Sequence, residues 1–262
     1  MSTTQYKASQ EEESQRYSRR NILRSEYLYE QGFQSPGGTD FVKTLCQRVD
    51  IEQGHHVLEI GSGLGGTTFY LAETYDASIL GLDISEHMIA LSRERQQARG
   101  IDSITFQQGD IVQMQPPLST FDLAWTQDCL LYVSERPIAW RHIYQALKPG
   151  GQLLITDFCR GTEPLTKAFE EYVTTCGYYL EDIPSYAQTL RDAQFIDVVA
   201  EDITDQFIDT LKRGHERILS RKEEFLNQYS QDEFDYLLGR WDTKIEFCEI
   251  GDFRWGLFIA RK

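Results

Sequence analysis

Several features are scarce in this 262-residue sequence, and each absence argues against a class of protein. The five cysteines are scattered and form no CxxC pair, so neither a disulfide framework nor a zinc site is expected. The five histidines lie at no metal-ligand spacing, and we expect no metal. Basic residues number 26 against 41 acidic ones, and the net charge of -15 argues against nucleic acid or an anionic membrane surface as partner.

Long apolar stretches are also missing. No run of 18 apolar residues could span a bilayer, and residues 1–14 are polar, without the apolar segment of a signal peptide. We therefore expect a cytoplasmic protein. The composition, 40% hydrophobic and 12% aromatic, is typical of a globular protein that carries a pocket. The length predicts a single domain overall and leaves open whether the protein is a monomer or a homodimer.

The central region alternates between short apolar runs and helical patterns. Alternation of this kind predicts parallel strands joined by right-handed crossovers, and hence an α/β fold with a Rossmann-like, doubly wound, mostly parallel sheet. Strands are predicted at 56–60, 78–82, 104–107, 121–125 and 152–156, and helices at 67–74, 86–99 and 137–147.

The flanking regions are predicted to be mainly helical. The patterns indicate helices over 11–31 and from Phe41 to Val49, further helices within 163–193, a strand at 195–199, two long polar helices in 205–249 and a last strand at 254–260.

These elements divide the chain into three regions. Residues 1–50 are predicted to be N-terminal helices that close over the site, and residues 51–160 a cofactor-binding core. Residues 161–262 contribute a helical lid together with the last two of seven strands. The connection before the last strand is too long for an ordinary loop, so we expect it to cover the carboxyl edge of the sheet with the substrate beneath it.

The sharpest local signal is residues 57–66, VLEIGSGLGG, an apolar strand followed by a glycine-rich turn that opens a helix. Gly61, Gly63 and Gly66 satisfy the GxGxxG spacing, which nicotinamide-dependent oxidoreductases also use. Glu59 precedes the first glycine by two residues and favours another ligand. A carboxylate there would repel a pyrophosphate, whereas it can bind, directly or through water, the cationic amino group of a methionine moiety.

Two more acids follow the next two predicted strands. Asp83 can accept hydrogen bonds from both ribose hydroxyls. Asp110 can accept the exocyclic N–H of an adenine whose faces pack against Ile84 and Ile111. Because the carboxyl ends of parallel strands meet at one edge of a sheet, the three acids together predict a site for S-adenosylmethionine.

Residues 55–158, with Asp122-Leu123 and the LKPGG stretch at 147–151, resemble class I S-adenosylmethionine-dependent methyltransferases. The resemblance implies that S-adenosylhomocysteine is the product and that no metal takes part. The predicted cofactor site consists of Tyr17, Ser35, Glu59, Gly61, Ser62, Gly63, Gly65, Asp83, Ile84, Met88, Gly109, Asp110, Ile111 and Asp128.

A narrower resemblance spans nearly the whole chain. Phosphoethanolamine N-methyltransferases are similar at Tyr17, Asp128 and residues 35–38, 60–66, 155–159, 171–173, 222–226 and 254–256, and residues 125–131 also resemble sarcosine and dimethylglycine N-methyltransferases. The resemblance implies that Tyr17 closes over the sulfonium and the amine, and that Asp128 lies beside the reacting nitrogen. Both are predicted to be catalytic, together with Tyr132.

Some positions depart from the family. Tyr132 stands where the family has a histidine, and a phenol with an ordinary pKa of about 10 is better suited to orienting a substrate than to acting as a base. The family's arginine and late lysine align with Cys176 and with or beside Glu246, so Lys244, Arg160 or Arg240 would have to supply the charge for a phosphate. The predicted substrate site is Tyr17, Asp128, Tyr132, Phe158, Tyr172, Cys176, Tyr178 and Glu246.

The sequence thus predicts a methyltransferase that acts on a small-molecule amine, with or without a phosphate. The alternatives are an O-, S- or C-methyltransferase of a small metabolite, a nicotinamide-dependent oxidoreductase, and a non-catalytic protein that binds the cofactor.

Overall fold

The computed structural model describes residues 18–162 and 164–262 of the chain. Its strands are β1 His56–Ile60, β2 Ser78–Asp83, β3 Ile104–Gln108, β4 Phe121–Gln127, β5 Leu147–Arg160, β6 Ile196–Asp202 and β7 Phe253–Arg261. They form a single seven-stranded sheet in the order β3-β2-β1-β4-β5-β7-β6.

The first five strands of the sheet run parallel, and β7 is antiparallel to both of its neighbours. In the register, Ile60 at the end of β1 lies between Leu82 of β2 and Thr126 of β4. The carboxyl ends of these strands therefore meet at one edge. The predicted fold class, an α/β fold with a doubly wound and mostly parallel sheet of seven strands, is confirmed.

Helices surround the sheet. They are α1 Arg19–Ser25, α2 Gly38–Cys46, α3 Gly66–Tyr75, α4 Glu86–Arg99, α5 Arg136–Ala146, α6 Lys167–Cys176, α7 Ile183–Asp192, α8 Thr204–Ser220, α9 Lys222–Leu226 and α10 Gln231–Ile250, with a 3₁₀ turn at Leu130–Tyr132.

Local sequence explains where several helices begin. The side chains of Ser85, Asp182 and Ser230 each accept a backbone N–H from the first turn of α4, α7 and α10. At α10 the Glu233 carboxylate also accepts the backbone N–H of Ser230, which completes a capping box. Gly100, directly after α4, adopts the left-handed conformation typical of a helix end.

Two apolar layers cover the two faces of the sheet. Val57 of β1 packs into one layer with α2, α3 and the lid helices α8 and α10, whereas its neighbour Leu58 packs into the other with Trp140 of α5 and Tyr186 of α7. Successive strand residues point to opposite faces, so a strand buried on both sides reads as a continuous apolar run.

The structure corrects three of the predicted boundaries. Within the described part of the predicted helix 11–31, α1 ends at Ser25, because the chain then turns and the Glu26 carboxylate accepts the N–H of Gly32 at 2.6 Å. The region 205–249 was predicted to form two long polar helices, but it contains three, α8, α9 and α10. β5 is longer than predicted and begins at Leu147, since Gly150 donates its N–H to the carbonyl of Lys262 beside it at 3.1 Å.

The segment that contains α1 contacts both the core and the lid. Glu26 pairs with Arg95 of α4 at 2.7 Å, and Arg24 pairs with Glu233 of α10 at 2.8 Å. The N–H of Gly66, at the start of α3, donates to the carbonyl of Gly32 at 3.0 Å. The described part of the predicted N-terminal region therefore lies against the glycine-rich loop. Within the described ranges, no helix combines the length and the apolar character needed to cross a membrane.

Candidate active site

The glycine-rich loop between β1 and α3 lies at the carboxyl edge of the sheet. The N–H groups of Gly61 and Ser62 both donate to the carbonyl of Leu82, at 2.8 and 2.9 Å. Gly61 has a φ of +74°, and a Cβ there would lie 2.5 Å from the Cys129 Sγ. Gly63 has a φ of +51°, and apart from its chain neighbours no described heavy atom would lie within 4 Å of a Cβ at this position. That side of the loop is open to a close-approaching ligand.

Asp83, at the end of β2, holds the glycine-rich loop in place. Its Oδ2 accepts the N–H of Gly63 at 2.8 Å, and its Oδ1 accepts the N–H of Ser85 at 2.9 Å. Burial raises the pKa of Asp83, and these two backbone hydrogen bonds lower it. A carboxylate has about four acceptor positions, so two remain for hydroxyl groups of a ligand.

Glu59 is buried beneath the same loop. The Thr68 hydroxyl of α3 donates to its Oε2. Burial raises the pKa of Glu59 to about 8, opposed by the Thr68 hydrogen bond and reinforced by the charge of Asp83. A cationic group nearby would favour the ionised form of this carboxyl, as the predicted contact with an amino group requires.

Asp110 follows β3 and caps the turn after it. Its Oδ1 accepts the N–H of Val112 at 2.8 Å, and its Oδ2 accepts the Gln113 side-chain amide at 3.1 Å. Gly109 donates its N–H to the carbonyl of Asp83 at 3.0 Å, which brings the ends of β2 and β3 together. We call Gly61, Gly63, Asp83 and Asp110 the cofactor edge.

The other residues predicted to bind the cofactor have different environments. Ile84 is 59% exposed beside the cofactor edge, and Ile111 is buried. The Ser62 hydroxyl is buried with no hydrogen-bond partner in the described chain. Gly65 has a φ of +84°, and Ser35 is half-buried in the loop before α2. Met88 is buried among Ile22, Leu64 and Leu91, so its contacts are those of a packing residue.

Asp128 lies directly after β4 with a φ of +50°, a conformation that aspartate adopts more readily than most residues. Its Oδ1 accepts the Trp255 indole N–H at 2.7 Å and the Thr156 hydroxyl at 3.3 Å. Its Oδ2 is buried and has no hydrogen-bond partner among the described residues. Burial raises the pKa of Asp128 to about 7, against the lowering effects of the Trp255 hydrogen bond and the charge of Lys244.

Lys244 of α10 brings a positive charge to the same place. The residue is only 3% exposed, and its Nζ lies 4.3 Å from the centre of the Phe158 ring. Its charge also lowers the pKa of Asp128, which means that the two groups are within electrostatic reach of each other. A buried cation and a buried carboxylate thus share one part of the molecule.

Three tyrosines belong to the same group of residues as Asp128, Phe158 and Lys244. The rings of Tyr132 and Tyr178 meet edge to face at 5.3 Å, and those of Tyr172 and Tyr178 at 6.0 Å. The Tyr172 hydroxyl is hydrogen-bonded to Tyr178 and Cys176; burial raises its pKa, and the charge of Arg240 opposes this. We call the following residues the acceptor pocket: Asp128, Tyr132, Phe158, Tyr172, Tyr178 and Lys244.

One predicted substrate residue, Glu246, lies elsewhere. It is exposed on α10, whereas Lys244 is buried. Two positions along an α-helix differ by about 200°, so these side chains point to nearly opposite sides. The side chain of Lys244 therefore points toward Phe158, and that of Glu246 points toward solvent. Of the other cations considered, Arg160 is paired with Asp182 at 3.1 Å. Tyr17 lies outside the described residues.

The prediction did not assign a role to Trp255 or Thr156, which bind Asp128. Both lie in stretches that resemble the family, 254–256 and 155–159, and this was the available signal. The hydrogen bonds themselves could not be read from the sequence, because Trp255 follows Asp128 by more than a hundred residues.

Residues 51–197 match the family model described as a methyltransferase domain. With the sheet order and the acids at its carboxyl edge, this match defines a class I methyltransferase domain. The phosphoethanolamine N-methyltransferase of Plasmodium falciparum is 32% identical over 253 residues, which cover 95% of this chain and 94% of that protein. The chain belongs to the phosphoethanolamine N-methyltransferase family, and the predicted resemblance is confirmed.

Two other relatives are longer than this chain. Phosphoethanolamine N-methyltransferase 1 of Arabidopsis thaliana is 39% identical over 94% of this chain but only 50% of its own length. Phosphoethanolamine N-methyltransferase 2 of Haemonchus contortus, solved with phosphomonomethylethanolamine and S-adenosylhomocysteine, superposes with a TM-score of 0.91 and 30% identity over 94% of this chain and 58% of that one. The chain spans about half the length of the plant relatives that it matches.

Proposed function

We propose that this chain transfers a methyl group from S-adenosylmethionine to the amine nitrogen of a small phosphorylated amine of the phosphoethanolamine type. The observation that carries the proposal is that buried Lys244 lies within electrostatic reach of Asp128, whose buried Oδ2 has no hydrogen-bond partner among the described residues. A phosphorylated amine carries one group of each sign, so it complements both.

The cofactor edge suits a nucleoside with an amino-acid tail. Asp83 would accept the ribose hydroxyls, Asp110 the adenine N–H, and the open side of Gly63 would admit the tail. When bound, S-adenosylmethionine supplies a methyl group that its sulfonium already activates. The protein therefore has to align the amine, exclude water and accommodate the positive charge that passes to the nitrogen.

Asp128 would bind the amine end. With a pKa of about 7, its carboxyl can hold an ammonium as the carboxylate and can take up a proton close to neutral pH. Aromatic faces around the pocket would add cation–π attraction for the methylated product. Tyr132 would orient the amine through its hydroxyl, and Tyr17 is proposed to close over it.

Lys244 would bind the phosphate end, with the hydroxyls of Tyr172 and Tyr178 as further donors. Each charge-assisted hydrogen bond to a phosphate contributes about 1.5–3 kcal/mol. The Nζ of Lys244 lies 4.3 Å from the centre of the Phe158 ring and 6.0 Å from that of the Phe207 ring. The ammonium is therefore partly desolvated, and an anionic group bound beside it would be stabilised.

A single experiment tests this assignment. Transfer of tritium from methyl-labelled S-adenosylmethionine is measured with phosphoethanolamine, ethanolamine and sarcosine as acceptors. Lys244→Met should raise the KM for phosphoethanolamine roughly 10- to 100-fold. The matched control is Lys212→Met, which removes an exposed lysine of α8 and should leave KM unchanged. Equal turnover of ethanolamine and phosphoethanolamine by the unaltered protein would contradict a phosphate site.

One observation favours a second candidate, an amine without phosphate. Cys176 stands where the family has an arginine, and its thiol is hydrogen-bonded to Tyr172. This replacement removes one cation from the phosphate end. Preferred turnover of sarcosine or another unphosphorylated amine in the same assay would establish that alternative.

A further inference from the structure

The two oxygens of the Asp128 carboxyl group have different surroundings. Oδ1 accepts two hydrogen bonds, from the Trp255 indole at 2.7 Å and from the Thr156 hydroxyl at 3.3 Å. Oδ2 is buried, yet no described side chain or backbone group bonds to it. A buried carboxylate oxygen without a partner is costly, and in a native protein it calls for an explanation.

Trp255 is held too firmly to follow Asp128 if the carboxyl moves. It is fully buried in β7, where it lies opposite Phe158 of β5. Its ring stacks on Phe41 at 4.5 Å and packs against Phe207 at 5.0 Å, and its backbone N–H donates to the Thr204 hydroxyl at 3.0 Å. These contacts therefore fix the position of the indole N–H.

We infer that Trp255 is a positioning residue, whose indole N–H anchors Oδ1 of Asp128 and thereby aims Oδ2 at the acceptor amine. The inference rests on the proposed function for the identity of the amine. Trp255 acts through Asp128 and has no contact of its own with the acceptor. Since a carboxyl group rotates about one bond, fixing one oxygen fixes the other.

The titration of Asp128 depends on every charged or titratable group that faces it. These are Lys244 from α10, which lowers its pKa, Asp157 from β5, which interacts with it electrostatically, and the Cys129 thiol beside it. Asp157 accepts the Tyr186 hydroxyl at 2.9 Å and has its own raised pKa of about 7. Among the groups that lower the pKa of Asp128, the Trp255 hydrogen bond has the largest effect.

Removal of the indole N–H should therefore raise the pKa of Asp128, whereas Asp157, which is hydrogen-bonded to Tyr186, should respond only through its electrostatic coupling to Asp128. If ionised Asp128 binds the amine, activity is present above this pKa and lost as the pH falls through it. The acid limb of the rate profile should then move to higher pH in the variant.

The chain offers a matched pair of variants. Trp255→Phe removes the indole N–H and keeps an aromatic ring, and Trp140→Phe does the same at a buried tryptophan whose N–H has no partner in the described chain. We expect W255F to lower kcat for the amine roughly 10- to 100-fold. The Kd for S-adenosylhomocysteine, measured by calorimetry, should stay within about twofold. W140F should leave both the rate and the acid limb in place.

A second measurement separates this inference from the proposed function. Infrared spectroscopy follows carboxyl ionisation without turnover, and the band lost in Asp128→Asn identifies Asp128. A higher pKa in W255F than in W140F supports the inference even if no tested amine is methylated. Equal pKa values and equal rate profiles in the two variants would overturn it.

Should W255F not fold, the unaltered protein decides the matter. Of its four tryptophan indole N–H resonances, the one from Trp255 should shift with pH around 7 and should cease to do so in Asp128→Asn. Absence of a titrating indole would overturn the inference.

Discussion

The cofactor edge and the acceptor pocket lie at the same end of the sheet but are assembled differently. The cofactor edge comes from the ends of β1, β2 and β3, and its two acids are held by backbone N–H groups, those of Gly63 and Ser85 for Asp83 and that of Val112 for Asp110. The acceptor pocket combines β4, β5, α6 and α10, with Asp128 held by a side chain from β7. The acids of the cofactor edge are thus held by backbone groups, whereas in the acceptor pocket Oδ2 of Asp128 has no hydrogen-bond partner among the described residues and the buried cation Lys244 lies within electrostatic reach of it.

The largest effect is expected from a substitution of Asp83 in the cofactor edge. Asp83→Ala removes the acceptor of the Gly63 N–H together with two proposed hydroxyl contacts, so the Kd for S-adenosylhomocysteine should rise at least 100-fold. Calorimetry measures this, with Asp102→Ala, at an exposed site after α4, as control. Unchanged affinity in Asp83→Ala would show that the cofactor edge binds something else.

A substitution of Asp128 in the acceptor pocket should have the opposite pattern, with a large effect on turnover and little effect on cofactor affinity. Asp128→Asn preserves the shape and tolerates the left-handed backbone, but it loses the charge that would hold the amine, so kcat should fall roughly 10²- to 10³-fold. The Kd for S-adenosylhomocysteine should stay within about twofold, and Asp209→Asn, on the exposed side of α8, should change neither quantity. A large loss of cofactor affinity in Asp128→Asn would erase the distinction between the two regions.

The smallest effect is expected at Tyr132. Tyr132→Phe keeps the ring against Tyr178 and removes one neutral hydroxyl, which should lower kcat about two- to tenfold. Tyr236→Phe, at a tyrosine that is 56% exposed on α10, is the matched control. If the two variants turn over at the same rate, Tyr132 contributes packing alone.

The two regions also differ in how far they could be predicted. Glu59, Asp83 and Asp110 were found from strand ends and the glycine spacing, because the carboxyl ends of parallel strands must meet. In the acceptor pocket, Asp128 and Tyr178 came from family resemblance. The predicted residue Glu246 is exposed, whereas Lys244, two positions earlier, is buried, because a sequence alignment does not show which side of a helix faces inward.

The amino-acid order alone determined the alternation of strands and helices, the acid at each strand end and the turn that only glycine can make at Gly61. These depend on contacts within a few residues and on one rule of sheet geometry. Tertiary structure decided that Lys244 is buried near Asp128 and that Trp255 anchors one oxygen of that carboxyl. Both relationships join residues more than a hundred positions apart, and only the packing of the lid and of β7 against β5 brings those residues near one another.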